Sequence, residues 1–213
     1  MIELQDVRKT YGDQVVLDRF SHGFATGSFT AISGPSGIGK TTLLQVIAGL
    51  LPIEEGQIVI DDQITDTKVQ ALHPSLRQVG YVFQFPALWP HLTVRQNILY
   101  GLMHQPRSLQ EDRLSDIITK LDIAELMARR PAELSGGQAR RVSLARTLIT
   151  RPRFVLLDEP LNNLDARLKD QILSMVADYW VKQQATVIWV THDPGEVSGL
   201  APVVGTFSPF GLV

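Results

Sequence analysis

The chain has 213 residues, of which 44% are hydrophobic, and its 20 basic residues against 22 acidic ones give a formal net charge of -2. That much apolar material can form the buried core of one or two compact domains, which excludes a disordered or fibrous protein. The charge lacks the strong basic excess typical of nucleic-acid binders. We therefore expect no nucleic-acid partner, and any phosphate must be held at a local site.

The sequence lacks the features of an exported or membrane-spanning protein. Its first residues, MIELQDVRKTYG, include acidic side chains and no apolar stretch of a secretory signal, which predicts a cytosolic protein. The longest apolar runs, such as residues 154–157, are as short as strands and do not reach the ~18 residues that span a bilayer. Any membrane association is therefore expected to be peripheral. The chain contains no cysteine, which excludes disulfides and cysteine-based metal or redox chemistry.

The first half of the chain is predicted to consist mostly of strands. Short apolar or alternating runs bounded by polar turn residues are typical of strands. They occupy residues 2–7, 15–17, 29–33, 57–60 and 79–83. Residues 41–50 predict a helix that Pro52 is expected to end. With the strand before it, this helix forms a strand, loop and helix unit.

The middle of the chain changes to helical periodicity. Between residues 86 and 150, apolar residues recur at helical spacing around Leu114 and again around Leu144. Beyond this stretch, residues 154–157 and 186–191 are apolar enough to be strands buried on both faces, which indicates a largely parallel central sheet. The predicted fold is one α/β unit over residues 1–213, with a core (1–85 and 140–213) and an inserted helical subdomain (86–139).

A glycine-rich segment follows the third predicted strand. Residues 34–41, GPSGIGKT, match the pattern G-x-x-x-x-G-K-[ST] between a strand and a helix. Glycines let backbone N–H groups point at phosphate oxygens, and the following helix adds the positive end of its dipole. The candidate nucleotide-binding residues here are Gly34, Pro35, Ser36, Gly37, Ile38, Gly39, Lys40, Thr41 and Thr42. Lys40 is expected to reach the β- and γ-phosphates and Thr41 to bind Mg²⁺; the alternative is an ordinary glycine-rich turn.

Two carboxylates follow the apolar strand at residues 154–157. Parallel strands present their carboxyl ends to ligands, so Asp158 and Glu159 are predicted to lie at the active site. Asp158 suits the shell of a magnesium ion, and Glu159 suits polarising the water that attacks the γ-phosphate. Without the glycine-rich segment at residues 34–41, which we call the phosphate loop, the pair Asp158 and Glu159 is typical of a solvated turn.

A second candidate anion site lies at residues 134–138, LSGGQ. A serine and two glycines at a helix N-terminus form a nest of N–H groups that can bind phosphate. The candidate residues are Ser135, Gly136, Gly137 and Gln138. Serine is also a good N-cap residue, so the residues alone leave phosphate binding and simple helix capping open.

The motifs GPSGIGKT, LSGGQ and FVLLDEP, in this order and spacing, resemble the ATP-binding cassette of ABC transporters over nearly the whole chain. The resemblance implies a P-loop NTPase core with a mainly parallel sheet, an antiparallel N-terminal β part and a helical subdomain that carries LSGGQ. It implies hydrolysis of ATP to ADP and phosphate, with Mg²⁺ as a cofactor. It also implies a homodimer in which each ATP lies between one copy's phosphate loop and the other copy's LSGGQ.

Four further residues take their expected roles from the resemblance alone. Tyr11 resembles the aromatic residue that stacks on adenine, and Gln84 resembles the glutamine that contacts magnesium and the attacking water. Asp165, in LNNLD (residues 161–165), resembles the loop that couples the two sites of the dimer, although the first asparagine stands where serine is common. His192 resembles the histidine that contacts the γ-phosphate. Taken alone, Tyr11 and His192 are typical residues of strand edges and ends.

Two segments resemble importer cassettes for sugars, anions, metals or thiamine: residues 83–94, FQFPALWPHLTV, and residues 164–169, LDARLK. They imply a transmembrane permease, a solute-binding protein in the complete complex, and a location on the cytoplasmic face of the membrane. The alternatives are an exporter or lipoprotein-release motor and a soluble ABC ATPase, although the chain has no room for the long coiled-coil insertion of chromosome-maintenance ATPases. The short stretch after Glu196 leads us to expect no C-terminal regulatory domain. The residues do not identify the solute.

An apolar and aromatic stretch follows Gln84. Its residues are Phe85, Pro86, Ala87, Leu88, Trp89, Pro90 and Leu92. The two prolines predict a loop, and loops lie mostly at the surface. This region resembles the groove of the cassette family that receives a helix of the membrane subunit, so Trp89 is expected to contact that partner. The alternative is that these side chains fold back against the helical subdomain.

Overall fold

Two β-sheets and five α-helices form the computed structural model, which describes residues 1–162, 164–197, 199–200 and 203–212. The strands are β1 (Ile2–Tyr11), β2 (Gln14–Phe24), β3 (Phe29–Ser33), β4 (Glu55–Ile60), β5 (Gln63–Thr67), β6 (Val79–Val82), β7 (Phe154–Asp158), β8 (Thr186–Val190), β9 (Val203–Ser208) and β10 (Gly211–Leu212). The helices are α1 (Lys40–Ala48), α2 (Val94–Leu99), α3 (Arg107–Leu121), α4 (Gly136–Leu148) and α5 (Ala166–Gln183). Over the described ranges, no helix has both the length and the apolar character needed to cross a membrane.

The two sheets differ in strand direction. The first has the order β2-β1-β4-β5 and is antiparallel throughout. The second has the order β10-β9-β3-β8-β7-β6, and its neighbouring strands are parallel except for β10 with β9. A mainly parallel sheet beside an antiparallel N-terminal sheet confirms the predicted α/β fold class.

The parallel sheet has a hydrophobic core on each face. Along β7, Val155 and Leu157 belong to a core shared with helices α2 to α5, while Phe154 and Leu156 belong to a second core shared with α1 and the antiparallel sheet. All residues of β7 and β8 are buried, as expected for strands covered on both faces. Because successive side chains of a strand alternate, Asp158 continues the second face and points to the side where α1 lies.

A buried ion pair anchors the C-terminal end of α1. Arg77 donates to the carboxylate of Asp66 at 3.0 Å and to the carbonyls of Val46 and Ile47 at 3.2 Å each. The side chains of Arg77 and Asp66 are almost fully buried. The guanidinium satisfies carbonyls that the end of a helix leaves unpaired. The helix that begins in the phosphate loop is therefore fixed at its other end.

Some predicted boundaries are wrong. Helix α1 ends at Ala48, before Pro52, because Gly49 adopts φ 75° and its N–H closes the helix on the carbonyls of Gln45 and Val46. Strands β5, β9 and β10 and helix α5 have no counterpart among the predicted elements. The predicted division between residues 139 and 140 lies inside α4, so a continuous helix joins the two proposed subdomains.

Candidate functional site

The phosphate loop, residues 34–41, connects β3 to the first turn of α1. Gly37 has φ 79° and Gly39 has φ 119°, values that favour glycine. A Cβ atom on Gly39 would also overlap the side chain of Val16 on β2. Glycine at this position therefore serves both the backbone conformation and the close approach of β2. The arrangement leaves the N-terminus of α1 facing the loop.

Lys40 lies inside the phosphate loop. Its ammonium donates to the carbonyls of Gly34 at 2.7 Å and Pro35 at 2.9 Å, and the residue is only 4% exposed. Burial lowers the pKa of Lys40 below its usual value, while the negative charges of Glu159 and Asp158 act to raise it. The loop thus holds a cationic side chain, as a phosphate-binding site requires, and two carboxylates act on its pKa.

Asp158 lies at the end of β7 with both carboxylate oxygens in hydrogen bonds. Thr41 Oγ1 donates to Oδ1 at 3.0 Å, and the Tyr81 hydroxyl donates to Oδ2 at 3.2 Å. Burial raises the pKa of Asp158, and these two hydrogen bonds oppose that shift. Burial also raises the pKa of Tyr81, so its hydroxyl keeps its proton. The structure brings Thr41 and Asp158 together, and it adds Tyr81, which had no predicted role; the binding of magnesium by Thr41 and Asp158 stays a prediction.

Glu159 directly follows β7, and its carboxylate bonds to the side chains of Gln84 and Asn162. Its φ of 45° is uncommon for a residue with a side chain, and its N–H donates to the carbonyl of Val190 on β8 at 3.0 Å. Its Oε2 accepts a hydrogen bond from Gln84 Nε2 at 3.2 Å and another from Asn162 Nδ2. Such backbone strain is frequent at active sites. The carboxylate of Glu159 is therefore held by two amides from different segments.

An open cavity of about 340 Å³ lies beside the phosphate loop. Its lining includes the loop, Thr42, Gln84 and Glu159, together with Tyr11 from the end of β1. Tyr11 is 49% exposed, so its ring is accessible to a ligand. The cavity thus has an exposed aromatic ring as well as phosphate-binding groups, which suits a nucleotide.

A buried arginine of helix α4 holds the backbone at Gln84 in place. Arg140 on α4 donates to the carbonyl of Phe83 at 2.7 Å and to the carbonyl of Gln84 itself. Arg140 is only 6% exposed. The sequence analysis assigned it no role, since a single arginine on a helix is usually solvated. Its burial is the signal that distinguishes it.

The LSGGQ segment, Asp165 and His192 lie outside the cavity lining and away from the phosphate loop in sequence. Ser135 caps α4: its Oγ accepts from the N–H of Gln138 at 3.3 Å, and its own N–H donates to Gln138 Oε1 at 2.9 Å. Asp165 caps α5 in the same way by accepting from the N–H of Leu168 at 3.0 Å. His192 is exposed just after β8. Asn163, in the predicted coupling loop, lies outside the described residues. The roles of Ser135, Asp165 and His192 toward ATP stay predictions.

The oxygen atoms near the loop fit a magnesium ion that is bound together with a nucleotide. The hydroxyl of Thr41 and the carboxylate of Asp158 are hard oxygen donors in contact with each other. Mg²⁺ usually takes one or two carboxylates and completes its shell with phosphate oxygens and water. The part of the chain that the structure describes has no group of three or more acidic, histidine or cysteine side chains that could hold a metal ion.

Known proteins are similar to this chain in sequence. A family model described as ABC transporter matches residues 17–162. The sn-glycerol-3-phosphate import ATP-binding protein UgpC 3 of Agrobacterium fabrum is 42% identical over 203 residues, which are 94% of this chain and 56% of that protein. The Fe(3+) ions import ATP-binding protein FbpC of Fusobacterium nucleatum is 39% identical over 202 residues, or 94% of this chain and 53% of that protein. The chain spans about half the length of the curated relatives it matches.

Solved structures share the fold over the whole chain. The ATP-binding cassette MJ0796, in a dimeric post-hydrolysis state bound to ADP and Pi, has a TM-score of 0.88 at 28% identity and is covered over 96% of its chain. The cbiO1 structure from Clostridium perfringens, part of the ABC transporter complex cbiONQ, has a TM-score of 0.84 at 27% identity and is covered over 86%. Both alignments include 100% of the present chain.

Proposed function

Since the chain belongs to the ABC transporter family, we propose that it hydrolyses ATP to ADP and phosphate and thereby energises the import of a small solute through a membrane permease. The observation that carries the proposal is the meeting of Thr41 with Asp158 and of Gln84 with Glu159 beside the phosphate loop. The names of the importer relatives support import in particular.

The phosphate loop is proposed to bind the triphosphate of ATP. Backbone N–H groups of residues 34–41 and the N-terminus of α1 supply fixed positive dipoles. Lys40 supplies the full charge, and its two bonds to loop carbonyls keep it beside the phosphates. Thr42 is a further contact from the first turn of α1. Tyr11, which also lines the cavity, is proposed to stack on adenine.

Glu159 is proposed to polarise the attacking water. Its carboxylate is held by Gln84 and Asn162, and these amides leave it oriented toward the cavity. A carboxylate in this position can accept a proton from water as the water attacks the γ-phosphate. His192 follows β8, the strand between β3 and β7, and is proposed to contact the γ-phosphate from that side.

Thr41, Asp158 and Gln84 are proposed to hold Mg²⁺ with the nucleotide. A metal held there would neutralise the charge that develops on the phosphate oxygens. The chain's own contribution is to keep the hydroxyl of Thr41 and the carboxylate of Asp158 in contact, so that both oxygens are already side by side.

The LSGGQ segment is proposed to bind the ATP of a second copy of the chain. It lies outside the cavity lining of its own chain, although it forms the N-terminus of α4, where backbone N–H groups can bind an anion. A two-fold dimer brings the segment of each copy to the phosphate loop of the other. Ser135, Gly136, Gly137, Gln138 and Asp165 are the residues proposed for this contact.

The surface beyond Gln84 is proposed to receive the permease. Trp89 stacks on Tyr100 with ring centroids 4.2 Å apart and lies 4.7 Å from the guanidinium of Arg146, in an open groove of about 380 Å³. Buried Asn97 holds the loop by bonds to both backbone groups of Trp89. Preformed aromatic grooves suit a partner helix. The complete complex is proposed to lie at the cytoplasmic membrane face and to include a solute-binding protein.

Phosphate release by the purified chain tests the proposal. We expect release with ATP and Mg²⁺, and none from Lys40→Ala, because the loop loses its cation. Lys120→Ala, which removes an exposed lysine paired with Asp116 on α3, is the matched control. Release at the wild-type rate from Lys40→Ala would contradict the proposal. Uptake of solute by vesicles that carry the chain and its co-purified permease then decides the direction of transport.

A further inference from the structure

Tyr81 contacts the carboxylate that is proposed to hold magnesium. Its hydroxyl donates to Asp158 Oδ2 at 3.2 Å, while Thr41 donates to Oδ1 at 3.0 Å. One donor comes from α1 and the other from β6, so the carboxylate is held from two sides. With both oxygens engaged, the plane of the carboxylate cannot rotate freely.

The register of the parallel sheet brings Tyr81 and Asp158 together. Tyr81 lies opposite Leu156 in the pairing of β6 with β7. Asp158 lies two residues further along β7 and therefore on the same face. Diagonal neighbours about 7–8 Å apart are within reach of an aromatic side chain. The contact follows from strand pairing and the length of tyrosine, and a shorter side chain at residue 81 could not make it.

We propose that Tyr81 is a positioning residue that orients Asp158 and thereby sets how strongly Mg²⁺ tightens nucleotide binding. The inference rests on the proposed function of Asp158 and deepens it. A phenol that donates to an ionised carboxylate makes a charge-assisted bond. Outer hydrogen-bond partners fix the orientation of metal ligands, and their loss typically weakens metal binding about 10- to 100-fold.

The same tyrosine connects Asp158 to the segment that carries Gln84. The rings of Tyr81 and Phe83 are 4.4 Å apart, and Phe83 directly precedes Gln84. The carbonyl of Tyr81 also accepts a hydrogen bond from Thr147 on α4 at 3.1 Å. Tyr81 is therefore fixed by its backbone and its ring, which leaves its hydroxyl a defined direction toward Asp158.

Nucleotide affinity measured with and without the metal tests the inference. The dissociation constant of a fluorescent ATP analogue is measured in Mg²⁺ and in EDTA for the wild type, Tyr81→Phe and Tyr179→Phe. Tyr179 is the matched control, since its hydroxyl donates to the carbonyl of Pro152. Pro152 precedes β7, whereas Asp158 is the last residue of that strand. We expect Tyr81→Phe to reduce the tightening by Mg²⁺ about 10-fold and to leave affinity in EDTA unchanged. Tyr179→Phe should change neither.

Asp158→Asn separates this inference from the proposed function. If Asp158→Asn removes the effect of Mg²⁺ but Tyr81→Phe retains it in full, the positioning role is overturned while the proposed metal site stands. If the wild type binds nucleotide equally well in Mg²⁺ and in EDTA, both fail. If Tyr81→Phe melts far below Tyr179→Phe and loses affinity in EDTA as well, the tyrosine is structural and the inference is overturned.

Discussion

The phosphate loop and the LSGGQ segment are both glycine-rich turns that lead into a helix, but the chain surrounds them differently. Around the loop, Glu159 and Gln84 line one cavity together with Thr41, which bonds to Asp158. In LSGGQ, Ser135 and Gln138 bond to each other, and a Cβ on Gly136 would meet open space. Glycines at the start of a helix thus line a cavity in one place, and in the other Ser135 and Gly136 lie at an exposed surface. In the proposed dimer, the phosphate loop of another copy would complete the second segment.

Removal of the Glu159 charge should have the largest effect on phosphate release. It tests the site beside the phosphate loop. Glu159→Gln keeps the shape and the ability to bind Gln84, but it cannot accept a proton from water. We expect phosphate release to fall about 10²- to 10⁴-fold while ATP binding persists and dimers accumulate. Steady-state phosphate release and gel filtration with ATP measure these effects. The same change at exposed Glu111, which pairs with Arg95, should have no effect; undiminished release from Glu159→Gln would remove its proposed role.

Mixed dimers test whether the two segments belong to one site shared between copies. Lys40→Ala damages the loop and Ser135→Arg damages the LSGGQ segment, so a hybrid dimer has one intact site. In an equal mixture about half of random pairings are hybrids, and only these have an intact site, so ATP-dependent association should be partly restored. Light scattering with ATP measures it.

The control mixture combines two variants with damage on the same side. Lys40→Ala with Asp158→Asn leaves no intact site in a hybrid, so association should stay absent. Equal association in the two mixtures would contradict a site shared between copies.

Trp89→Ala tests the groove around Trp89, which is proposed to bind the permease. Like the LSGGQ segment, this groove is proposed to be completed by a partner. Because Trp89 is only half-buried and packs on Tyr100 and Arg146, we expect a small fall in melting temperature and unchanged ATP binding. Pull-down of the permease and solute uptake should be strongly reduced. Trp180→Ala removes a tryptophan that bonds to Gly27, remote from the groove, and should spare permease binding. Loss of folding with full permease binding per folded molecule would make Trp89 a core residue.

Substitutions of Ser135 should produce the smallest effect on stability and separate capping from phosphate contact. Ser135→Ala should lower the free energy of unfolding by about 0.5–2 kcal/mol, whereas Ser135→Asp retains the cap. The added charge of aspartate should still prevent ATP-dependent association, because it would repel phosphate. Denaturant unfolding and light scattering measure the two effects.

Thr93 provides a matched cap away from the nucleotide. It closes the same kind of capping box with Gln96 at the start of α2. Thr93→Asp should preserve both stability and association. If Ser135→Asp also preserves both, Ser135 is a helix cap and has no phosphate contact.

Sequence patterns predicted the buried strands well and the exposed or mixed elements poorly. Strands β7 and β8 are continuous apolar runs, and both were found within a residue. Strand β5, QITDT, lies at the edge of the antiparallel sheet, where polar residues are tolerated and the pattern is weak. Helix α5 has buried positions at Leu168, Ile172, Met175 and Val176, but exposed polar residues between them obscured the period.

Within the candidate site, contiguous motifs were predicted from the sequence, whereas contacts between distant residues were not. Residues 34–41 and the pair Asp158 and Glu159 were recognisable because their chemistry depends on neighbours along the chain. Arg140 and Tyr81 were not, since each acts on a residue far away in sequence: Arg140 on the carbonyl of Gln84, and Tyr81 on Asp158. Their residue types, an arginine on a helix and an aromatic in a strand, are ordinary in isolation.

By itself the sequence determined the family, the phosphate loop and the order of strands and helices around it, because these follow from contiguous motifs and local periodicity. Only the tertiary structure decided which groups meet there. Tyr81 and Asp158 are separated by 77 residues, and their contact depends on the register of β6 against β7. Register and helix packing arise from burial of two cores at once, and no contiguous stretch of the chain encodes them.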